Sequence, residues 1–433
     1  MKFELHHILK VEAADIEMGG LTVLTGENSS GKSTVGKVLF SVLKAVNNVR
    51  QTDKVKTVEL IKVELIAIRR LFEREESVPT LLQDVRLLAA NLADSALTLA
   101  DLRNELDGAA LRAAFTARTS ALMRGALARI AQYIDQYESP ELAFRTEFEA
   151  IARSEFREEL ASYETHVGSI AFHDDSADAV GSLVRIGLAN RRVDELELKG
   201  SSSFRDVTYV ESSVYMNVLE ALRRSGAFPS AAARAADGMP YHLTDMADKM
   251  ISPVDIADRL LEADFRDQLE RISSIVGGEF VLDDATKQLA FIQAGHEIQP
   301  VSVASGVKSF GVMQRLLENG AVSPSKLLIW DEPEIHLHPE WQVKFCQVIV
   351  ELVSVGIPII VSTHSPYFLQ GLRYFAARQG IEREVRYYLA EESPTSGLSV
   401  FREVTDDLNR VFTLLAGPLH EIMNVDAVRR RKP

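Results

Sequence analysis

The sequence predicts an α/β fold in which several parallel strands end in polar residues. Three apolar runs, at residues 21–24, 327–330 and 357–361, are typical of buried strands. They lead directly into the segments GENSSGKST, DEPEIHLHP and STHSP. Ligands of open α/β sheets bind outside the carboxyl ends of the strands, so these three segments predict one shared site.

Composition narrows the class of protein. The chain has 433 residues, enough for more than one subdomain, and its net charge of −14 argues against binding nucleic acid through overall charge. Its one cysteine, Cys346, excludes an intramolecular disulfide and suits a cytoplasmic protein. Neither a membrane span nor a signal-peptide core is evident, so we expect no membrane partner. The basic run at 429–432 is interpreted as a tail.

The first polar segment matches the phosphate-binding loop pattern G-x-x-x-x-G-K-[ST] between a strand and a helix. Its glycines allow backbone N–H groups and a helix N-terminus to face a phosphate. Lys32 would reach the β- and γ-phosphates of a bound nucleotide, and the Ser33 hydroxyl would contact Mg²⁺. All nine residues of the segment are predicted to bind the nucleotide: Gly26, Glu27, Asn28, Ser29, Ser30, Gly31, Lys32, Ser33 and Thr34.

The other two segments supply charge and proton chemistry. Two adjacent carboxylates at a strand end are costly unless a cation offsets them, which predicts a magnesium nucleotide beside Asp331 and Glu332. Phosphoryl transfer depends on positioning and charge neutralisation. Asp331 is therefore predicted to support Mg²⁺ with Ser33, Glu332 to activate the attacking water, and His364 to bond the γ-phosphate. A purely structural role for His364 remains the alternative.

Two further features have competing interpretations. Ser305 and Gly306 open an amphipathic helix, whose N-terminus is either an anion site or an ordinary cap. His336 and His338 alternate on an extended segment, but no further ligands with metal-site spacing accompany them, so a metal site is disfavoured.

The middle of the chain differs in character. Residues 45–200 are rich in Leu, Ala, Glu and Arg at helical spacing, which predicts a compact helical insertion that serves either as a docking element or as a structural lid. After it we expect a strand at 207–210, helices over 214–265 and two or three antiparallel strands before residue 304. Strands are also expected at 386–391 and 399–404, followed by a last helical segment.

Four motifs in this order, GENSSGKST, ASGVK, LLIWDEPEIHLHP and STHSP, resemble those of ABC-type ATPases. DEPEIHLHP and SGVK are most similar to the SMC/RecF/OLD branch, including AAA-type ATPases of bacterial defence systems such as PARIS and Septu. The resemblance implies an α/β P-loop NTPase of ABC-ATPase type with a mixed sheet core, an antiparallel β subdomain and a large helical insertion. Residues 1–45 and 203–433 would form the ATPase head, and 46–202 the insertion.

The same resemblance implies a homodimer, or a higher homo-oligomer, that closes head to head around ATP. Lys32 of one subunit would face Ser305 and Gly306 of the other, with Lys308 near the same interface. ASGVK departs from the LSGGQ signature of transporters. A convincing glutamine loop is also missing, and Glu211 or Ser212 occupies its place.

Three functions compete. The first is an ATPase switch in antiphage defence that controls a separate effector, a nuclease or a toxin, because no nuclease motif is evident and few residues follow His364. The second is a DNA-repair or chromosome-maintenance ATPase that clamps DNA, which would make nucleic acid the partner. The third, a transporter subunit, is disfavoured by the long insertion between phosphate loop and signature. In each, the cofactors are ATP and Mg²⁺.

Overall fold

The structure is a computed structural model that describes residues 1–51, 54–73, 78–113, 115–157, 160–161, 166–175, 182–189, 192–200, 202–219, 239–252, 265–283, 288–415 and 417. The basic run at 429–432 lies outside these residues, as do 220–238 and 253–264 of the stretch predicted to be helical.

Eleven of the described strands form one mixed sheet in the order β6-β5-β4-β1-β2-β14-β13-β3-β12-β11-β7, and three form a small antiparallel sheet in the order β10-β9-β8. The strands are β1 (Lys2–Ile8), β2 (Val11–Glu17), β3 (Leu21–Gly26), β4 (Val167–Asp174), β5 (Ser182–Ala189), β6 (Arg192–Lys199), β7 (Asp206–Val210), β8 (Glu279–Leu282), β9 (Leu289–Gln293), β10 (His296–Ile298), β11 (Lys326–Asp331), β12 (Ile359–Thr363), β13 (Val385–Glu392) and β14 (Ser399–Glu403).

The centre of the large sheet is parallel and buried. β13, β3, β12, β11 and β7 are neighbours with parallel pairing, and every residue of β3, β11 and β12 is buried. Burial on both faces explains the nearly continuous apolar runs that mark these strands in the sequence. Because the strands are parallel, β3, β7, β11 and β12 all end at the same edge of the sheet.

Eleven α-helices have defined bounds in the described chain. They are α1 (Lys32–Gln51), α2 (Lys54–Glu73), α3 (Val85–Ala93), α4 (Leu99–Arg112), α5 (Ala117–Glu138), α6 (Pro140–Phe156), α7 (Tyr241–Ile251), α8 (Arg266–Val276), α9 (Ser305–Glu318), α10 (Pro339–Ser354) and α11 (Pro366–Gln379). Their starts follow local rules: Thr98 and Asp101 form a capping box before α4, and Pro366 occupies the first position of α11 after the cap residue Ser365. No described helix has the length and apolarity that a membrane span requires.

The chain divides into two compact units, Met1–Lys44 with Phe148–Pro433, and Ala45–Glu147. The second unit contains α2–α5 and its own apolar core, which includes the fully buried Ile61, Leu102 and Ile130. The first unit contains both sheets, with a core between the central strands and helices such as α9 and α10. The helical unit therefore ends at Glu147, whereas the sequence predicted an insertion from 46 to 202.

The difference arises from β4, β5 and β6, which occupy positions for which we predicted helices. These strands extend the large sheet through antiparallel pairing of β1 with β4, β4 with β5 and β5 with β6. β6 reads RVDELELK, whose Leu and Glu content favours helix in isolation. Pairing with β5 outweighs that preference, because strand formation depends on cross-strand neighbours.

Four buried charges connect the helix that follows the phosphate loop to the edge strand β7. Lys44 of α1 lies 2.8 Å from Asp206 and 2.6 Å from Asp245, measured from nitrogen to carboxylate oxygen. Lys249 of α7 lies 2.8 Å from each of the same two acids. Each cation thus contacts both anions, and we call these four residues the charge quartet.

Candidate functional site

Two glycines permit the tight loop between β3 and α1. Gly26 has φ of 144° and Gly31 has φ of 83°, both in the region that disfavours side chains. A Cβ atom on Gly31 would lie 2.9 Å from a methyl group of Val11, and one on Gly26 would lie 3.0 Å from Ala390. Glycine is therefore required at both positions for this backbone. The loop is open to solvent at four of its residues: Glu27, Asn28, Ser29 and Ser33.

Lys32, the first residue of α1, extends back over this loop. Its Nζ donates to the carbonyl oxygens of Gly26 at 3.0 Å and Glu27 at 2.7 Å. The side chain is buried, and burial lowers the pKa of Lys32, although the charges of Glu332 and Asp331 oppose that shift. The ammonium group therefore lies where a phosphate held by the loop would be neutralised, within electrostatic reach of both acids.

Asp331, the last residue of β11, is buried and held from two neighbouring strands. Its Oδ2 accepts from the Tyr209 hydroxyl at 2.9 Å, and its Oδ1 accepts a short hydrogen bond from the Ser362 hydroxyl. Burial, followed by the charge of Asp331, raises the pKa of Tyr209 well above its usual value, which keeps that hydroxyl a donor. The orientation of the carboxylate is thereby fixed.

Glu332 turns out of the strand and meets the histidine at the end of β12. Its φ of 48° is unusual for a glutamate, and its N–H donates to the Ser362 carbonyl at 3.1 Å. The Glu332 Oε1 atom lies 3.1 Å from Nδ1 of His364, whose side chain is 39% exposed. A partly open imidazole thus contacts a carboxylate beside the phosphate loop.

A second acid, Glu334, is buried beneath this pair. Its Oε1 accepts from the Thr363 hydroxyl at 2.5 Å and from the His364 N–H at 3.1 Å. The side chain is only 4% exposed, and burial raises the pKa of Glu334. No role for Glu334 was predicted from the sequence, although it stands within the DEPEIHLHP motif.

The position expected for a glutamine loop, at the end of β7, carries an ionic network. Glu211 contacts Lys37 of α1 at 3.0 Å and Nε2 of His242 at 3.1 Å. The other ring nitrogen of His242 lies 2.7 Å from Glu155, and both of those side chains are fully buried. Hydrogen bonding to His242, with the charge of Lys37, lowers the pKa of Glu211 to about 2 despite burial. Glu211 and Glu332 line the same small cavity.

The signature residues lie at the start of α9. The Ser305 carbonyl accepts from the Ser213 hydroxyl at 3.5 Å, and Gly306 packs against the backbone of His336 and the ring of Trp341. Lys308 is buried, which lowers its pKa. None of these described contacts reaches the phosphate loop of the same chain.

The two histidines after the acidic strand do not form a metal cluster with other described residues. His336 is exposed with φ of 68°, and the Nδ1 atom of His338 accepts from the Glu340 N–H at 3.4 Å as the cap of α10. A larger apolar cavity of about 600 Å³, lined by Tyr367, Tyr374 and other residues, lies on α10 and α11. No acid, lysine or histidine lines it, so it offers no site for phosphate chemistry.

The structure thus brings Lys32, Asp331, Glu332 and His364 together at one edge of the sheet. Its contacts add residues for which no site role was predicted from the sequence: Tyr209, Ser362, Glu334, Lys37, Glu155 and His242. Glu334 and Ser362 lie inside the motifs DEPEIHLHP and STHSP, and their buried positions were the missing information. The others come from different strands and helices, so their proximity follows from the topology of the sheet.

The donors at this edge fit a magnesium ion. The Ser33 hydroxyl is exposed at the start of α1, and Asp331 offers oriented carboxylate oxygens with unused lone pairs. Mg²⁺ prefers such hard oxygen ligands together with phosphate oxygens. A role for these two residues as ligands remains a prediction.

The mixed sheet and the phosphate loop define an α/β P-loop fold of ABC-ATPase type, which confirms the predicted fold class. Residues 130–370, more than half of the chain, match the family described as "AAA domain, putative AbiEii toxin, Type IV TA system". The chain therefore belongs to that family. No functionally curated protein matches the chain in sequence.

Among solved structures, the chain is similar to several SMC head domains. The head domain from Thermotoga maritima has 11% identity, covers 93% of this chain and 98% of its own, and gives a TM-score of 0.40. An SMC head bound to the C-winged helix domain of ScpA has 11% identity, covers 94% of this chain and 98% of its own, and gives a TM-score of 0.45. A head with an extended coiled coil, bound to the C-terminal domain of ScpA derived from Pyrococcus furiosus, has 11% identity, covers 98% of this chain and 98% of its own, and gives a TM-score of 0.41.

Proposed function

We propose that the chain hydrolyses ATP at the edge formed by β3, β11 and β12, and that hydrolysis resets a switch controlling a separate effector. The observation that carries the proposal is the contact between Glu332 and His364, 3.1 Å apart, beside Lys32 and Asp331. A carboxylate held by an imidazole near a phosphate cradle is suited to activating water.

In this reaction Glu332 accepts a proton from the attacking water as the water oxygen bonds to the γ-phosphorus. The bond from that phosphorus to the bridging oxygen breaks, and ADP leaves with the electron pair. Lys32 stabilises the charge on the phosphate oxygens. His364 donates from Nδ1 to Glu332 and keeps that carboxylate oriented. Mg²⁺, held by Ser33 and Asp331 when bound, would neutralise phosphate charge.

The signature residues complete the site from a second copy of the chain. Ser305 and Gly306 contact Ser213, His336 and Trp341 within their own chain, away from its phosphate loop. A helix N-terminus of this kind favours an anion, which the γ-phosphate bound to another copy would supply. The proposed active form is therefore a head-to-head homodimer with ATP between the subunits.

An effector partner is proposed from the family. Its description names the family itself as a putative toxin of a type IV toxin–antitoxin system, and we extend the proposal to antiphage defence with a separate nuclease or toxin as the effector. In that case ATP binding and hydrolysis would alternate the dimer between states that hold and release the effector.

The proposal is tested with the Glu332→Gln variant, which should keep ATP and accumulate the closed dimer. Sedimentation velocity with Mg-ATP should show a dimer for this variant and a monomer for Glu332→Gln combined with Ser305→Arg. If the Arg variant dimerises equally well, Ser305 does not face the nucleotide of the second copy.

Affinity capture of Glu332→Gln with ATP from the native host then identifies the partner. A nuclease or toxin supports the effector switch, whereas capture of DNA together with repair factors would replace it with the DNA-clamping function.

A further inference from the structure

The carboxyl group of Glu334 is more deeply buried than any function proposed so far requires. Its side chain is 4% exposed, compared with 22% for Glu332 two residues earlier. Both hydrogen bonds that it accepts go to Oε1, while the buried Oε2 has no partner among the described residues. Burying a carboxyl group in this way is costly, so its retention at this point calls for a specific contact that outweighs the cost.

The two donors to Glu334 are consecutive along the chain and fix the turn that presents the histidine. One is the Thr363 hydroxyl at 2.5 Å, and the other is the main-chain N–H of His364 at 3.1 Å. The Thr363 hydroxyl also accepts from the N–H of Ser365 at 3.1 Å. A single carboxyl oxygen therefore restrains the backbone on both sides of His364.

The same carboxyl group belongs to the turn that carries Glu332. The Ile335 N–H donates to the Glu332 carbonyl at 3.1 Å, and the Leu337 N–H donates to the Glu334 carbonyl at 3.0 Å, so residues 332–337 form one hydrogen-bonded turn. Glu334 joins this turn to the end of β12. Its Oε1 also lies 3.8 Å from Nδ1 of His364, which is 3.1 Å from Glu332.

We propose that Glu334 is a positioning residue for ATP hydrolysis, which braces the Thr363–His364 turn and so holds the His364 imidazole against Glu332. This inference rests on the proposed hydrolysis at the same site. The contribution of Glu334 is geometric: its oxygen accepts two hydrogen bonds. Misplacement of a catalytic group by about 1 Å can reduce a rate on the order of 100-fold, so loss of the brace should lower kcat. No described hydrogen bond or ion pair joins Glu334 to the phosphate loop. Its charge acts on Lys32 less than those of Glu332 and Asp331 do, so ATP binding should change little.

Three variants separate this role from others. Glu334→Gln keeps an oxygen that accepts both hydrogen bonds and should retain turnover within about threefold of wild type. Glu334→Met keeps the approximate volume but removes the acceptor, and should lower kcat about 10- to 100-fold with KM for ATP within about twofold. Thr363→Val removes one donor without changing the size of the side chain, and should lower kcat by less than Glu334→Met does.

The measurement is steady-state phosphate release with purified full-length protein, with the melting temperature of each variant recorded. A double-variant comparison distinguishes positioning from a general loss of structure. Because Glu334 acts through His364, Glu334→Met should reduce kcat little further once His364→Ala is present. Additive losses in that comparison would overturn the inference.

The remaining outcomes are equally decisive. Turnover of Glu334→Met within threefold of wild type would refute the brace. Equal losses of kcat in Glu334→Gln and Glu334→Met would also refute it, because they would show that the negative charge of Glu334 matters and not its hydrogen-bond acceptor. If Glu334→Met does not fold, the brace is tested by comparing kcat of Thr363→Val with that of Thr363→Ser, the matched control, since serine keeps the hydroxyl donor. Absence of hydrolysis by the wild-type protein would refute the proposed function itself.

Discussion

Replacing Lys249 with methionine should destabilise the protein strongly, because it breaks the charge quartet. The Lys249 ammonium is 2.8 Å from both Asp206 and Asp245, and it also donates to the Val207 carbonyl at 2.7 Å and the Thr208 hydroxyl at 2.9 Å. Its side chain is 9% exposed, so solvent would replace these contacts poorly.

The magnitude follows from what the substitution leaves behind. Removing one partner of a buried ion pair costs about 3–5 kcal/mol, because the other charge stays buried without compensation. Here two acids would share the single cation Lys44, and the Val207 carbonyl would lose its donor. These losses overlap, since one ammonium group makes all the contacts, so we expect about 4 kcal/mol in total.

The pH dependence has a defined sign. Burial raises the pKa of Asp206, but Lys249 and Lys44 lower it more, so the folded pKa lies below the usual value of 3.8. The stabilisation is therefore complete above pH 4 and is lost as pH falls through the folded pKa. The cost of Lys249→Met should accordingly be largest near neutral pH.

The assay is urea unfolding followed by tryptophan fluorescence, with Trp330 as a buried probe in β11. The matched control is Lys344→Met, which removes a lysine whose side chain is 38% exposed and paired with the exposed Glu340 at 2.8 Å, and it should cost less than about 1 kcal/mol. Adding Asp245→Asn to Lys249→Met restores neutrality and should recover about 1–2 kcal/mol. A cost for Lys249→Met within 1 kcal/mol of the control would refute the quartet as a stabilising element.

Three further predictions concern the site. Lys32→Ala should weaken binding of a fluorescent ATP analogue about 10- to 100-fold, because a charged hydrogen-bond donor to phosphate is lost; unchanged affinity would contradict the phosphate-loop role. Tyr209→Phe removes the 2.9 Å hydrogen bond to Asp331 and should weaken Mg²⁺ binding in the presence of ATP about 10-fold, as measured by metal titration, with an unchanged melting temperature as its control. Burial lowers the pKa of His242, but Glu155 and Glu211 raise it more, so the stabilising charge is present below pH 6.5 and is lost as pH rises through the folded pKa. His242→Asn should therefore lower the free energy of unfolding by about 3–5 kcal/mol at pH 6 and by less at pH 9. An equal loss at both pH values would show that the charge of His242 is not involved.

The residues predicted from sequence are those whose chemistry is encoded locally. The phosphate loop needs glycine at positions 26 and 31 and lysine at 32, and the acidic pair directly follows an apolar strand. Tyr209 could not be found in this way, because it reaches Asp331 only when β7 pairs with β11. His242 and Glu155 meet through the packing of α6 and α7, which leaves no spacing signal in the sequence.

The main structural error concerned β4–β6, where local composition favoured helix and cross-strand pairing decided the outcome. β5 alternates side chains across the sheet, with Val184, Ile186 and Leu188 buried while Arg185 is exposed. That period of two was present in the sequence, but the Leu- and Glu-rich surroundings concealed it. The alternation of apolar and polar residues within short segments was therefore more informative about secondary structure than the average composition over 150 residues.

The central claim is that Glu332 activates water for ATP hydrolysis at this site. It is tested most directly by phosphate release under saturating Mg-ATP for wild type and Glu332→Gln, with ATP binding measured on the same samples. We predict measurable turnover by the wild type, at least about a 100-fold reduction in the variant, and ATP affinity within a few-fold of wild type. Equal turnover by both proteins would contradict the claim.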